Sequence, residues 1–184
     1  MKPPVATASW REGESAASHV CSLRAEEGGF ELAGAGTTGL GGELLQVRFT
    51  IRLDGSWATR SVDVTAGSRS VAIRADGLGG WAVDSGERPD LQGCTDVDLE
   101  LTPATNTLPI RRLGLALGQS AEIEAAWVRV PALSVERSVQ RYERMADRRY
   151  RYSSGAFAVE LDVDEDGLVL DYPPFWVRQP VADR

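Results

Sequence analysis

Residues 43–55, Glu-Leu-Leu-Gln-Val-Arg-Phe-Thr-Ile-Arg-Leu-Asp-Gly, carry the pattern that decides the fold. Leu45, Val47, Phe49, Ile51 and Leu53 alternate with Gln46, Arg48, Thr50 and Arg52, a period of two that gives an extended strand one apolar and one polar face. Asp54-Gly55 then turns the chain. Residues 58–65 and 69–75 repeat the pattern, with Val62, Val64, Val71 and Ile73 inward and Ser61, Asp63, Ser70, Ala72 and Arg74 outward, so a meander is expected. Residues 95–101 set Val97, Leu99 and Leu101 against Asp96, Asp98 and Glu100, which predicts a strand with a solvated acidic face. Residues 121–130 alternate similarly, with Ile123, Ala125 and Trp127 or its neighbours set against Glu122, Glu124 and, after a change of phase, Arg129. Residues 156–163 and 168–172 flank Asp164-Glu165-Asp166-Gly167 and predict a closing hairpin.

Short strands spaced about 8 to 12 residues apart predict an all-β domain, a strongly curved antiparallel sheet or an open β-barrel. Helical signals are weaker. Residues 135–147 fit either a short helix or a long polar strand, and strand is the expectation. The seven glycines between Gly28 and Gly42 predict turns and a mobile loop. The chain has 184 residues, 42% of them hydrophobic, and no linker divides it, so one domain with a real core is expected.

Lys+Arg 20 against Asp+Glu 27 gives a net charge of −7, which argues against nucleic-acid partners and anionic membrane surfaces. The first residues show no apolar signal-peptide core, and no apolar run is long enough to span a bilayer, so a cytoplasmic location without integral membrane association is expected. Cys21 and Cys94 lack metal-like spacing and are expected as free, packed thiols. Lys2 is the only lysine, and the spread of the arginines along the chain fits a coding bias better than a function.

The motifs that carry chemistry mostly fail on context. Gly34-Ala-Gly36-Thr-Thr-Gly39 matches a dinucleotide fingerprint, but a strand and not a helix follows it. Asp162 to Gly167 begins like a calcium loop, yet its twelfth position is Pro173 and its flanks alternate as strands. His19 is the only histidine, which excludes a histidine-rich metal site and leaves a buried strand histidine as the default. Asp96, Asp98 and Glu100 share a face and could supply glycosidase-like carboxylates, although a solvated strand explains them as well. A binder is therefore expected rather than an enzyme, with no cofactor and no metal.

Residues 91–113, Leu-Gln-Gly-Cys-Thr-Asp-Val-Asp-Leu-Glu-Leu-Thr-Pro-Ala-Thr-Asn-Thr-Leu-Pro-Ile-Arg-Arg-Leu, are the most distinctive segment. They read as a strand, a polar loop holding Asn106, and a turn that aims Arg111 and Arg112. Paired guanidiniums can grip an anionic or hydroxyl-rich head group, or they can pair with Asp96, Asp98 or Glu100 on a neighbouring strand. Together with residues 54–60, Gly80-Trp81, Gln140-Arg-Tyr142, Arg149-Tyr-Arg-Tyr152 and residues 167–173, this segment resembles the bacterial glycolipid-binding protein family over roughly residues 10–178. The resemblance implies a curved β-sheet like those of lipoprotein carriers, and it brings no catalytic residue with it.

On that footing the expected ligand is a glycolipid or similar amphiphile. Trp57, Trp127, Tyr142 and Tyr152 would offer flat faces to sugar, and Arg60, Asn106, Arg111 and Arg112 would hydrogen-bond it. The runner-up is a carboxylate-dependent hydrolase or lyase in the same cavity. A third reading is a protein interaction module using an exposed sheet edge. The oligomeric state is left open.

Overall fold

The computed structural model describes residues 4–13, 16–40 and 43–181. In its first half the strands are β1 (Ala6–Glu12), β2 (Ser18–Glu26), β3 (Gly29–Leu40), β4 (Glu43–Asp54), β5 (Thr59–Ala66), β6 (Arg69–Ala75), β7 (Trp81–Val83) and β8 (Gly86–Glu87). The second half holds β9 (Asp96–Leu99), β10 (Ser120–Arg129), β11 (Ser134–Ala146), β12 (Arg149–Ser154), β13 (Phe157–Val163), β14 (Val169–Tyr172) and β15 (Trp176–Gln179). A 3-10 turn, Pro103–Asn106, runs into the short helix α1, Thr107–Leu113.

All fifteen strands of the described residues form one sheet, ordered β8-β7-β6-β5-β4-β3-β2-β1-β15-β14-β13-β12-β11-β10-β9. The two chain halves join where β1 pairs antiparallel with β15, Glu12 opposite Trp176 and Trp10 opposite Arg178. Every other pairing is antiparallel except β9 with β10, which is parallel. The sheet curls strongly without closing. Its two halves meet instead through scattered bonds: Thr59 N on β5 donates to the Thr95 carbonyl just before β9 at 3.1 Å, and Arg88 and Arg137 tie β11 to the segment around residues 88–92. The all-β, strongly curved sheet expected from the period-two pattern is what forms, including residues 134–146 as strand.

Two cores result. The larger packs β1 to β6 against Val97, Leu99, Leu101, Ala126 and Val128, and the smaller gathers Tyr142, Tyr150, Tyr152, Leu161, Val163 and Val169 under α1. The 3-10 turn and α1 pack between the two cores, Ala104 and Leu108 entering the larger and Ile110 the smaller, with Thr107 Oγ1 donating to the Gly167 carbonyl at 2.9 Å. No helix among the described residues is long and apolar enough to cross a membrane.

Three local expectations need correction. Most of the glycine-rich stretch is not a loop, because residues 29–40 form a regular strand paired with β4 throughout and with β2 over residues 29–36, while Gly41 and Gly42 lie outside the described residues. Its glycines answer a packing demand: Gly34 sits opposite Phe49, where a Cβ would land on the Phe49 ring, and Gly36 lies against the Ser18 backbone and His19. Residues 103–113 are not a polar loop, because Thr102 caps the 3-10 turn by accepting from Ala104 N and the chain then continues as helix. The face carrying Asp96 and Asp98 is not solvated, because α1 and β11 cover it.

At the seam, Trp10 is fully buried and its Nε1 donates to the Val169 carbonyl at 2.8 Å. His19 is also buried, edge-on to Trp176 at 4.9 Å, with neither ring nitrogen hydrogen-bonded. Burial pushes its pKa down to about 4, and the Thr37 backbone beside it opposes the shift. The unfolded chain thus binds a proton that the folded chain refuses between about pH 6.5 and 4, so this residue makes stability fall as pH falls through that window, by about 3 kcal/mol in all. The single histidine resonance is expected to titrate near pH 4 in NMR of the folded protein, and a midpoint near the ordinary value would contradict this burial. Gly34→Ala is expected to cost about 1–3 kcal/mol in urea unfolding, because Phe49 must leave its position.

Candidate functional site

The site is built outward from β9. Period two gives this strand an aliphatic face, and Val97, Leu99 and Leu101 complete the larger core. The opposite face carries Asp96, Asp98 and Glu100 toward the smaller core. Asp96 is 1% exposed, and Arg112 forks onto it, Nε to Oδ1 at 3.0 Å and Nη2 to Oδ2 at 2.6 Å. Burial pushes the Asp96 carboxyl up, and Arg112 opposes the shift.

Asp98 has no arginine. Thr105 Oγ1 donates to its Oδ1 at 2.9 Å, and Gln140 Nε2 donates to its Oδ2 at 2.7 Å. Burial dominates and raises the Asp98 pKa above the ordinary carboxylate range; the two hydrogen bonds work against the rise, and the charges of Glu100 and Asp96 add to it. The Thr105 hydroxyl also accepts from Leu99 N at 3.3 Å, so one side chain both covers the free edge of β9 and orients the carboxyl.

Asp98 opens into a cleft of about 490 Å³. Four aromatic side chains from β12, β13, β14 and the approach to β15 form one connected lining: Tyr152, Phe157, Tyr172 and Phe175, with neighbouring ring centroids 5.8 to 6.3 Å apart. Polar groups come from the other elements, with Thr102 and Asn106 beside Asp98 and with Ser138 and Ser154 from β11 and β12. Trp127 and Pro131 extend the apolar surface, and Glu12 and Glu100 add carboxylates. Burial raises the pKa of both Tyr152 and Tyr172, and the charge of Asp98 adds to the rise, so both phenols stay protonated and able to donate.

The structure distributes the residues singled out in the sequence over several places. Asn106, Trp127 and Tyr152 line the cleft. Tyr142 stands behind it, fully buried, its hydroxyl donating to Asn106 Oδ1 at 2.9 Å. Trp57 lies outside the cleft, stacked on Phe30 at 4.1 Å with the Arg111 guanidinium 5.0 Å from its ring. Arg60 pairs with Asp54 at 3.1 Å and donates to the Asp76 carbonyl. Arg112 is spent on Asp96, the carboxylate pairing that the sequence left open. None of the three arginines lines the cleft.

The sequence reading missed Phe157, Phe175 and the two serines as members of the site. Asp98 did stand out as a carboxylate, but its partners Thr105 and Gln140 lie 7 and 42 residues away, and no local pattern joins them.

The class that these features define is a β-sheet domain built on a single curved, unclosed sheet that holds an aromatic cleft. The chain matches the family described as "Putative glycolipid-binding" over residues 7–178, and it belongs to that family. It is similar to a DUF1089 family protein from Pseudomonas aeruginosa of known crystal structure, with 36% identity and a TM-score of 0.77, covering 92% of this chain and 95% of that one. No curated protein matches it.

Because Asp96 would be left buried without its partner, Arg112→Met is expected to cost about 3 kcal/mol in chemical denaturation. Most of that loss should return in the double variant Arg112→Met with Asp96→Asn. An Arg112→Met protein as stable as the parent would show that the pair contributes nothing.

Proposed function

We propose that the cleft binds an amphiphile of the glycolipid kind without chemically changing it. The observation that carries this reading is the junction of two surfaces in one cleft, a connected aromatic lining from Tyr152 to Phe175 and the polar cluster of Asp98, Asn106, Thr102 and the two serines. The first suits an acyl chain or the apolar face of a sugar, and the second suits hydroxyl groups. The family description supports it.

Native mass spectrometry of gently purified protein, followed by solvent extraction, tests the proposal directly. A retained amphiphile, or one taken up from a lipid extract, is the expected result, and a bare mass after that incubation would overturn it. Tyr172→Ala is expected to weaken uptake about tenfold, since an aromatic contact with its buried area contributes on the order of 1–2 kcal/mol.

A second reading, a carboxylate-dependent hydrolase, has one observation in its favour. Burial raises the Asp98 pKa above the ordinary carboxylate range two residues from Glu100, the direction that a general acid beside a carboxylate requires. Turnover of aryl glycosides or esters that is lost in Asp98→Asn would favour it over simple binding.

A further inference from the structure

The charges around the cleft restrict what its polar end can hold. Among the described lining residues, the side chains that can carry charge near neutral pH are Glu12, Asp98 and Glu100, and no arginine is among them. One cation touches the lining from outside. Arg129 lies over the Trp127 ring at 4.4 Å and pairs with Glu100 at 3.4 Å, so its charge is already matched by a carboxylate. Glu100 also accepts from Val130 N at 2.9 Å, which holds it in place for that pairing. Arg112, the other guanidinium close to β9, is committed to Asp96.

A phosphate or sulfate entering this cleft would give up its water and find carboxylates with no free cation to receive it. In a partly desolvated site that loss exceeds what hydrogen bonds from serine or tyrosine return. An uncharged hydroxyl-rich group meets the opposite situation. The tyrosine hydroxyls both donate and accept. Ser138 and Ser154, which pair with each other at 3.3 Å while Ser154 donates to the Val139 carbonyl, keep acceptor capacity, and each Asp98 oxygen receives one fixed donor and keeps capacity for another partner. Hydroxyl groups left unpaired in such a place are costly, so a site that satisfies them discriminates strongly.

Resting on the reading of the cleft as an amphiphile site, we propose that it selects uncharged, polyhydroxylated head groups and rejects anionic ones, with Asp98 as the side chain that reads the head group. Arg111 and Arg112, the residues that the sequence made candidates for gripping an anion, take no part in this selection.

Two detergents of equal chain length, octyl glucoside and octyl phosphate, separate the possibilities when each is titrated calorimetrically below its micelle concentration. The glucoside is expected to bind at least about tenfold more tightly, the equivalent of one well-placed hydrogen-bonded group. Glu100→Gln leaves Arg129 unmatched beside the cleft and is expected to narrow that preference several-fold by strengthening octyl phosphate binding. Asp98→Asn keeps the shape and the Thr105 hydrogen bond, and it keeps the second one once the Gln140 amide turns so that its oxygen accepts from the new NH2, so it should retain most of the glucoside affinity. Asp98→Ala, checked for folding by near-UV circular dichroism, should lose about tenfold.

Equal or tighter binding of octyl phosphate by the parent protein would overturn the head-group inference while leaving the amphiphile site intact. Binding of neither detergent would overturn both. A folded Asp98→Ala protein with unchanged glucoside affinity would remove Asp98 from the recognition, and an unchanged preference in Glu100→Gln would show that charge does not set it.

Discussion

The structure turns on one strand that is buried on both of its faces. β9 is only four residues long and stands at the end of the sheet, yet its aliphatic side completes the larger core and its acidic side lies beneath α1 and β11. A strand end in that position would leave unpaired amides and two stranded carboxylates. Both problems are met by side chains. The Thr59 and Thr105 hydroxyls accept from the amides of Val97 and Leu99, while Arg112, Thr105 and Gln140 occupy the carboxylates. These bonds fix the turn after β9, and that turn places the wall of the cleft.

From this arrangement follows the division of labour between the two charged residues of the strand. Asp96 is neutralised by a forked guanidinium and acts as a structural anchor for α1. Asp98, held by two neutral donors, keeps a raised pKa and an opening to the cleft. The same backbone alternation thus puts an anchor and a ligand-facing group two residues apart. The 3-10 turn and α1 fill the space between the two cores, and Tyr142 braces them through Asn106, so what remains open is a cleft of limited size and not a wide channel.

Parts of the site were legible in the sequence to the extent that local chemistry placed them. Trp127 and Tyr152 fall on strands whose phase can be counted, and Asn106 lies in the most distinctive segment of the chain. The arginine pair misled for a physical reason. A sequence shows that Arg111 and Arg112 are adjacent, but on a helix neighbouring side chains point about 100° apart, so one reached Asp96 and the other the Trp57 ring. The glycine-rich stretch misled in the opposite way. Its glycines signal close approach of Phe49 and His19 across the sheet, which composition alone cannot separate from a flexible loop.

By itself the sequence determined what depends on neighbours a few residues apart: the period-two strands, the acidic and glycine turns between them, and an all-β sheet with an apolar inner face. Only the tertiary structure decided which polar face stays wet, because burial of Asp96 and Asp98 depends on residues up to 42 positions away. It also decided which aromatic rings share a cleft, since Tyr152 and Phe175 line one cleft, joined through Phe157 and Tyr172, only when the sheet curls. Alternation is a local steric property of the extended chain, whereas curvature and burial are set by the packing of the whole sheet.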